Sequence, residues 1–171
     1  MNVTPHRRSW LIALSAIAAA AVSGIGRAQP TANEEHLPSI ADLRALAETV
    51  ARLKAPLLIL FSTPGCPYCR EVRRNYLMPR AAEQASLSMP DLLLREVDIT
   101  SQHPIIDLNG VRITEAEFAA RFEVRVVPIV MLFDQKVRLL TAPVIGLDRA
   151  GFYEGILASA IERARKQLQA A

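Results

Sequence analysis

Cysteine is scarce in this sequence, which has two cysteines among 171 residues. Two cysteines exclude a small domain stapled by several disulfides and a zinc site with four cysteine ligands. A membrane-spanning segment is not expected either, because the apolar run at residues 10–25 falls short of the ~20 residues that such a helix needs. The 51% hydrophobic and 22% charged residues exclude a disordered chain, and the length fits one domain.

Acidic residues are absent from residues 1–28, which contain Arg7, Arg8 and Arg27. The rest of the chain holds the other 17 of the 20 basic residues and all 17 acidic residues, so the net charge of +3 belongs to this first segment. A domain without net charge is not expected to bind nucleic acid.

Residues 1–28 have the pattern of a secretory signal peptide. Two arginines precede a short apolar stretch, which ends in the small-x-small sequence Gly26-Arg27-Ala28. Arg7-Arg8 followed by Trp10 also resembles a twin-arginine export signal. We expect cleavage after Ala28, a flexible lead-in at 29–37, and a single domain at 38–171 that is located in the periplasm as a monomer.

The rest of the chain alternates between helix and strand patterns, which predicts an α/β architecture around a mixed sheet. Asn109-Gly110 is a hairpin signal, and Thr114 with Glu117 predicts a capping box. The predicted helices are a first one capped by Ser39, one beginning at Cys66 or Pro67 and broken near Met78 by Pro79, one at 114–122, and a last one capped by Asp148. The predicted strands are 57–61, 92–99, 105–108 with 111–113 as a hairpin, 129–133 and 137–141.

The chemistry is predicted at Cys66-Pro67-Tyr68-Cys69. A disulfide across three residues closes too small a loop to be an effective structural staple, and two cysteines cannot complete a zinc site. At a helix start, Cys66 lies where backbone N–H groups favour a thiolate, so it is the expected nucleophile and Cys69 the resolving thiol. Arg70, Arg73 and Arg74 add positive charge, although arginines are also common on helix surfaces for solubility alone.

A second feature is Val127-Pro128, directly before the apolar strand at 129–133. Proline is normally kept out of central strands, and a cis peptide bond explains its place at the start of one. An ordinary trans-proline is the alternative. The upstream strand, Cys-x-x-Cys motif and helix favour the cis form.

The order and spacing of these features resemble the thioredoxin superfamily over about residues 40–168. The resemblance implies a thioredoxin fold, with a mixed central β-sheet flanked by helices on both faces and a short hairpin/helix insertion. The insertion, a turn at 107–110 and a helix at 114–122, is most similar to exported bacterial thioredoxins associated with sulfur oxidation. Further implications are that Cys66 is the nucleophile and Cys69 the resolver, that Pro128 is the cis-proline, and that the substrate contacts are Val127, Pro128, Pro67 and Tyr68.

Three positions depart from the cytoplasmic thioredoxin pattern. Gly65 stands where those proteins usually have tryptophan, and Leu60 stands where they bury an aspartate. Pro67-Tyr68 is the pair typical of glutaredoxins. Without the aspartate, Glu96 or water is the candidate acceptor for the proton of the resolving thiol.

We therefore expect an enzyme, a periplasmic thiol–disulfide oxidoreductase that uses no cofactor and no metal. Its expected partners are protein thiols and disulfides and a membrane electron donor. Pro67-Tyr68 suggests a potential in the middle of the roughly −270 to −120 mV range of this superfamily, which favours a reductase slightly. The alternatives are a disulfide-forming oxidase, a non-catalytic binding module of the same fold, and a metal carrier that uses both thiolates.

Overall fold

The computed structural model of the chain describes Met1 and residues 36–148 and 150–170. The predicted signal peptide, apart from Met1, and most of the lead-in lie outside the described residues. The helices are α1 (Leu43–Leu53), α2 (Pro67–Val72), α3 (Met78–Ser86), α4 (Glu115–Ala120) and α5 (Tyr153–Gln169), with a π-helical turn at Arg73–Leu77 between α2 and α3. The strands are β1 (Leu57–Ser62), β2 (Leu93–Asp98), β3 (Pro104–Ile106), β4 (Arg112–Thr114), β5 (Ile129–Phe133) and β6 (Val144–Ile145). No helix within the described ranges is both long and apolar enough to cross a membrane.

The central sheet has four strands in the order β2-β1-β5-β6. β1 runs parallel to β2 and antiparallel to β5, and β5 runs antiparallel to β6. Every residue of β1 and β5 is buried, as expected for strands that are covered by other elements on both faces. The predicted mixed α/β sheet flanked by helices is therefore confirmed.

The hairpin of β3 and β4 forms a separate two-stranded sheet, as the Asn109-Gly110 signal predicts. Gly110 has φ +79°, a value that favours glycine. The carboxylate of Asp107 accepts the backbone N–H groups of Asn109 and Val111, both at 2.9 Å, which holds the turn. The hairpin leads directly into α4, where Thr114 and Glu117 form the predicted capping box.

Aromatic packing holds α4 against the central sheet. Phe118 and Phe122 lie near the strand residues Phe61 and Phe133, with ring centroids 4.9–6.3 Å apart. This contact places the first turn of α4 beside the carboxyl ends of β1 and β2.

Two helix starts differ from the prediction. Asp42, rather than Ser39, caps α1, because its carboxylate accepts the Arg44 N–H at 2.8 Å while Ser39 bridges to β2 at Glu96. Asp148 does not cap α5. Its carboxylate accepts the N–H groups of Ala150 and Phe152 and so holds the turn that precedes the helix.

The predicted strand at 137–141 is also wrong. Asp134 accepts the N–H groups of Lys136 and Arg138 and closes a tight turn there, and Val137 has φ +56°, which is incompatible with an extended strand. Contact with β5 is limited to an isolated bridge between Leu139 and Phe133 and a hydrogen bond from the Leu140 N–H to the Leu132 carbonyl at 2.8 Å, and β6 begins at Val144.

Candidate active site

The cysteine motif lies at the start of α2, shortly after the end of β1. Pro67 occupies the first helical position, so its missing N–H leaves no hydrogen bond unmade. Cys66 is the N-cap, and its Sγ accepts the N–H of Cys69 at 3.1 Å. The turn before it contains Gly65 at φ +73°. Sulfur at an N-cap faces the unpaired N–H groups of the first helical turn, which favour a thiolate once the bond to Cys69 is reduced.

Cys66 and Cys69 form a disulfide, with their Cα atoms 5.3 Å apart. Cys69 is fully buried and Cys66 is half-buried. A substrate sulfur therefore has access to Cys66, while Cys69 lies behind it. The order of attack, in which Cys66 reacts first and Cys69 resolves the mixed disulfide, stays a prediction, and it requires such an asymmetry.

The peptide bond between Val127 and Pro128 is cis. Ile129 pairs with Phe61 in the antiparallel register of β5 and β1, so Pro128 lies at the end of the sheet from which the cysteine motif leaves. The carbonyl of Pro128 accepts the N–H of Gly146 at 2.8 Å, next to β6. The sheet thus brings the two predicted parts of the site to one end.

Apolar side chains are exposed at this end of the sheet. Tyr68 is 48% exposed, Val126 57% and Ile145 65%. Ile145 pairs with Ile129 in the register of β6 and β5. An exposed apolar surface next to a reactive sulfur is typical of a site that docks other proteins.

A polar cleft of about 570 Å³ opens beside Cys66. Its floor and walls come from the residues that precede α1, the carboxyl ends of β1 and β2, the start of α2, and the first residue of α4. The side chains used below are Ser62, Arg70, Arg73, Glu96, Asp98 and Glu115.

The family described as Thioredoxin-like domain matches residues 43–144. The chain belongs to this thioredoxin-like family. The match contains the cysteine pair, the cis-proline and all six strands except the last residue of β6. The family and the bonded Cys-x-x-Cys pair indicate thiol–disulfide redox chemistry.

Solved structures with a similar chain path include thioredoxin f from spinach chloroplast (long form), which is 18% identical, with a TM-score of 0.49 over 77% of this chain and 91% of that one. A mutant thioredoxin from Halobacterium salinarum is 18% identical, with a TM-score of 0.48 over 79% of this chain and 96% of that one. A thioredoxin-fold protein from Helicobacter pylori is 16% identical, with a TM-score of 0.47 over 68% and 81%. No curated protein matches the chain.

A buried ion pair lies in the wall of the cleft of this thioredoxin-like domain. Arg73 and Glu96 are 7% and 8% exposed, and the Arg73 guanidinium donates to both oxygens of Glu96, with Nε 2.8 Å from Oε2. The Ser62 hydroxyl donates to Oε1 at 2.6 Å and the Leu37 N–H to Oε2 at 3.3 Å. The exposed His36 has its Nδ1 3.7 Å from Oε2.

This network bears on the expectation that Glu96 accepts the proton of Cys69. Each oxygen of Glu96 already accepts two hydrogen bonds, which fills the usual capacity of a carboxylate. The geometry therefore favours an anchoring role for Glu96 and leaves water as the acceptor. Arg73 and Ser62 carry no sequence signal that distinguishes them from surface arginines and serines.

Glu115 is a second buried carboxylate of the cleft, at 5% exposed. Burial raises the pKa of Glu115, and contacts with the Ser101 side chain, the Asp98 backbone and His103 offset this rise only in part. Asp98, which also lines the cleft, adds to the rise. Within the described residues no basic side chain lies at ion-pair distance from Glu115, and no cluster of three or more His, Cys, Asp or Glu side chains is positioned to hold a metal ion.

Proposed function

We propose that the protein is an exported thiol–disulfide oxidoreductase that reduces protein disulfides. The observation that carries this proposal is the accessible Cys66 at a helix N-cap with the buried Cys69 bonded behind it. The exposed apolar side chains Tyr68, Val126 and Ile145 support a protein as substrate. The half-buried Val127, directly before the cis-proline, is the proposed pairing point for an extended substrate segment.

The reaction begins from the reduced pair. The Cys66 thiolate attacks one sulfur of the substrate disulfide, that bond breaks, and the other substrate sulfur leaves as a thiolate that takes a proton from solvent. Cys69 then gives up its proton to water, and its sulfur attacks Cys66 in the mixed disulfide. The second substrate sulfur leaves as a thiolate, and the Cys66–Cys69 disulfide is formed. Two electrons have passed from the protein to the substrate.

Insulin reduction by dithiothreitol tests this chemistry. We expect the wild-type protein to accelerate insulin precipitation and Cys66→Ser to remove the acceleration completely. Cys69→Ser is the matched control, because it retains the nucleophile and is expected to accumulate a mixed disulfide with the substrate. Equal rates with wild type and Cys66→Ser would contradict the proposal and favour a binding module.

The direction of electron flow is proposed from Pro67-Tyr68, the pair found between the cysteines of glutaredoxins. We propose a mid-range potential and a membrane donor that reduces the pair again. Equilibration in glutathione buffers, followed by thiol trapping, measures the potential. A value near roughly −120 mV, the strongly oxidising end of the range, would reverse the proposed direction and identify an oxidase.

Export is proposed from the arginine pair and the apolar stretch of residues 1–28. The hairpin of β3 and β4 with α4 supports the further proposal of a subfamily resemblance to exported thioredoxins associated with sulfur oxidation. We expect the full chain, expressed in a Gram-negative host, to reach the periplasm as a monomer whose mass corresponds to a first residue at Gln29. Retention in the cytoplasm with residues 1–28 attached would contradict the proposed export.

A further inference from the structure

The cleft beside Cys66 is large enough for a small molecule. Its volume of about 570 Å³ falls within the ~300–1,000 Å³ typical of small-molecule sites. Cys66 forms part of its wall, whereas Val127 and Pro128 do not. A ligand seated in the cleft therefore has access to the Cys66 sulfur without covering the edge proposed for protein substrates.

Gly65 leaves space in the cleft on the side of the cysteine motif. It is exposed and lines the cleft, which the buried Ser62 also lines. A Cβ built on Gly65 has no heavy atom within 4 Å, so the space beside this glycine is empty of protein.

The charged groups of the cleft are divided between its two sides. On the α2 side, Arg70 is exposed, and its guanidinium has no hydrogen-bond or ion-pair partner among the described residues, whereas Arg73 is occupied by Glu96. The other side, formed by the end of β2 and the start of α4, presents Asp98 and Glu115. Asp98 binds Thr100 through Oδ1 alone, at 2.7 and 2.8 Å.

This distribution favours a ligand with both charges. A carboxylate pairs with a guanidinium through charge-assisted hydrogen bonds. An ammonium group suits a site in which a buried carboxylate and a neighbouring acid have no basic side chain at ion-pair distance among the described residues. Neither charge alone satisfies both sides of the cleft.

We propose that the cleft binds a small amino-acid-type disulfide, with its carboxylate on Arg70, its ammonium on Asp98 and Glu115, and one sulfur at Cys66. The proposal rests on the proposed function and names a second substrate class for the same cysteine pair. The Cys66 thiolate attacks the near sulfur of the ligand, and the far half leaves as a thiolate that takes a proton. Cys69 loses its proton and displaces the near half, so that two small thiols leave and the protein disulfide forms.

The test uses the full chain, reduced with dithiothreitol and freed of it, and follows the loss of protein thiols. The probes are L-cystine, which has both charges on each half, and 2-hydroxyethyl disulfide, which has none. We expect the rate with cystine to saturate with concentration and the rate with hydroxyethyl disulfide to rise linearly. Arg70→Gln and Glu115→Gln are each expected to lower the ratio of cystine rate to hydroxyethyl disulfide rate by about tenfold, the loss of one charged hydrogen bond.

Arg74→Gln and Glu83→Gln are the matched controls, since both residues are exposed and neither lines the cleft. They are expected to leave the ratio unchanged. If circular dichroism shows that Glu115→Gln does not fold, the proposal is tested by the ratio of the two rates in Arg70→Gln alone. A wild-type protein that reduces insulin but shows no saturation with cystine overturns this proposal and leaves the proposed function standing. A protein inactive towards insulin and both small disulfides overturns both.

Discussion

The Arg73–Glu96 pair offers the sharpest test of how the cleft is built. Both side chains are buried, and the pair joins the π-helical turn after α2 to β2, an outer strand of the four-stranded sheet. Arg73→Met removes the guanidinium and keeps an unbranched side chain in its place. Glu96 is then left buried, with only the Ser62 hydroxyl and the Leu37 N–H as donors.

The expected loss in the free energy of unfolding follows from the hydrogen bonds that Glu96 keeps in the variant. Removing one partner of a buried ion pair costs about 3–5 kcal/mol because the other charge stays desolvated. Two of the four hydrogen bonds to Glu96 persist in the variant, so we expect the lower end, about 3 kcal/mol. Since domains of this size are stable by about 5–15 kcal/mol, that loss is a large fraction of the total.

Urea unfolding followed by far-ultraviolet circular dichroism measures the loss. With a slope of about 2 kcal/mol per molar urea, the midpoint of Arg73→Met is expected about 1.5 M below that of the wild type. Arg74→Met is the control, because Arg74 is exposed and is expected to shift the midpoint by no more than about 0.2 M.

The double variant Arg73→Met/Glu96→Gln separates a desolvated charge from simple loss of packing. Without a buried charge, it is expected to recover a good part of the stability that Arg73→Met loses. A loss below about 1 kcal/mol in the single variant, or a double variant less stable than the single one, would refute the reasoning.

Three further predictions concern stability. Gly65→Ala is expected to lower stability by about 1 kcal/mol through the φ of +73° alone. Gly155→Ala, inside α5 with nothing within 4 Å of the added carbon, is expected to raise stability by about 0.5–1 kcal/mol. The urea midpoints of the two variants should therefore shift in opposite directions from that of the wild type. The hydrogen bond from the Val111 N–H, helped by Arg121 and opposed by burial, lowers the pKa of Asp107. The ionised carboxylate therefore stabilises the fold above the unfolded pKa of about 3.9, and this stabilisation is lost as the pH falls through the folded pKa. Between pH 6 and pH 2, the melting temperature of Asp107→Asn should fall less steeply than that of the wild type. Tyr153→Phe removes a buried hydroxyl without a hydrogen-bond partner among the described residues and is expected to leave stability unchanged or raise it by up to about 1 kcal/mol, as thermal unfolding would show.

Local patterns allow the cysteine motif and the elements around it to be predicted from the sequence. The apolar run of β1, the proline after Cys66 and the Thr114–Glu117 capping box each act within a few residues, and the structure has all three. The turn at Asn109-Gly110 is of the same kind. In each case, one backbone requirement is satisfied by residues close to it in the chain.

The errors arise where a contact between turn residues overrides periodicity. Residues 137–141 contain the apolar and β-branched side chains that are common in strands. However, Asp134 accepts two backbone N–H groups and pairs with the Arg138 guanidinium, so the first residues of the expected strand form a tight turn instead. For α5 the sequence does not decide which face is buried: Ile156 is exposed, whereas Leu157 beside it is buried. Two apolar stripes lie side by side there, and only tertiary packing decides which one faces the sheet.

The division of labour among the charged groups of the cleft cannot be read from the sequence at all. Arg70, Arg73 and Arg74 lie within five residues, yet their environments differ. Arg70 lines the cleft with no partner in the described part of the chain, Arg73 is buried, and Arg74 is exposed and does not line the cleft. The π-helical turn begins at Arg73 and alters the helical register there. The Arg73 side chain then pairs with Glu96, which lies 23 residues further along the chain. No pattern of neighbouring residues in the sequence predicts this pairing.

These placements give the two buried carboxylates of the cleft different roles. The charge of Glu96 is balanced by Arg73. Glu96, which lies in β2, also accepts hydrogen bonds from the Leu37 N–H and from the Ser62 hydroxyl of β1, so it holds these segments together. Glu115 has no such cation within the described residues, and burial raises its pKa. Substitution of Glu96 should therefore lower stability and leave the preference between small disulfides largely intact, whereas substitution of Glu115 should change the preference more than the stability. The same two assays, applied to both residues, separate support of the cleft from recognition within it.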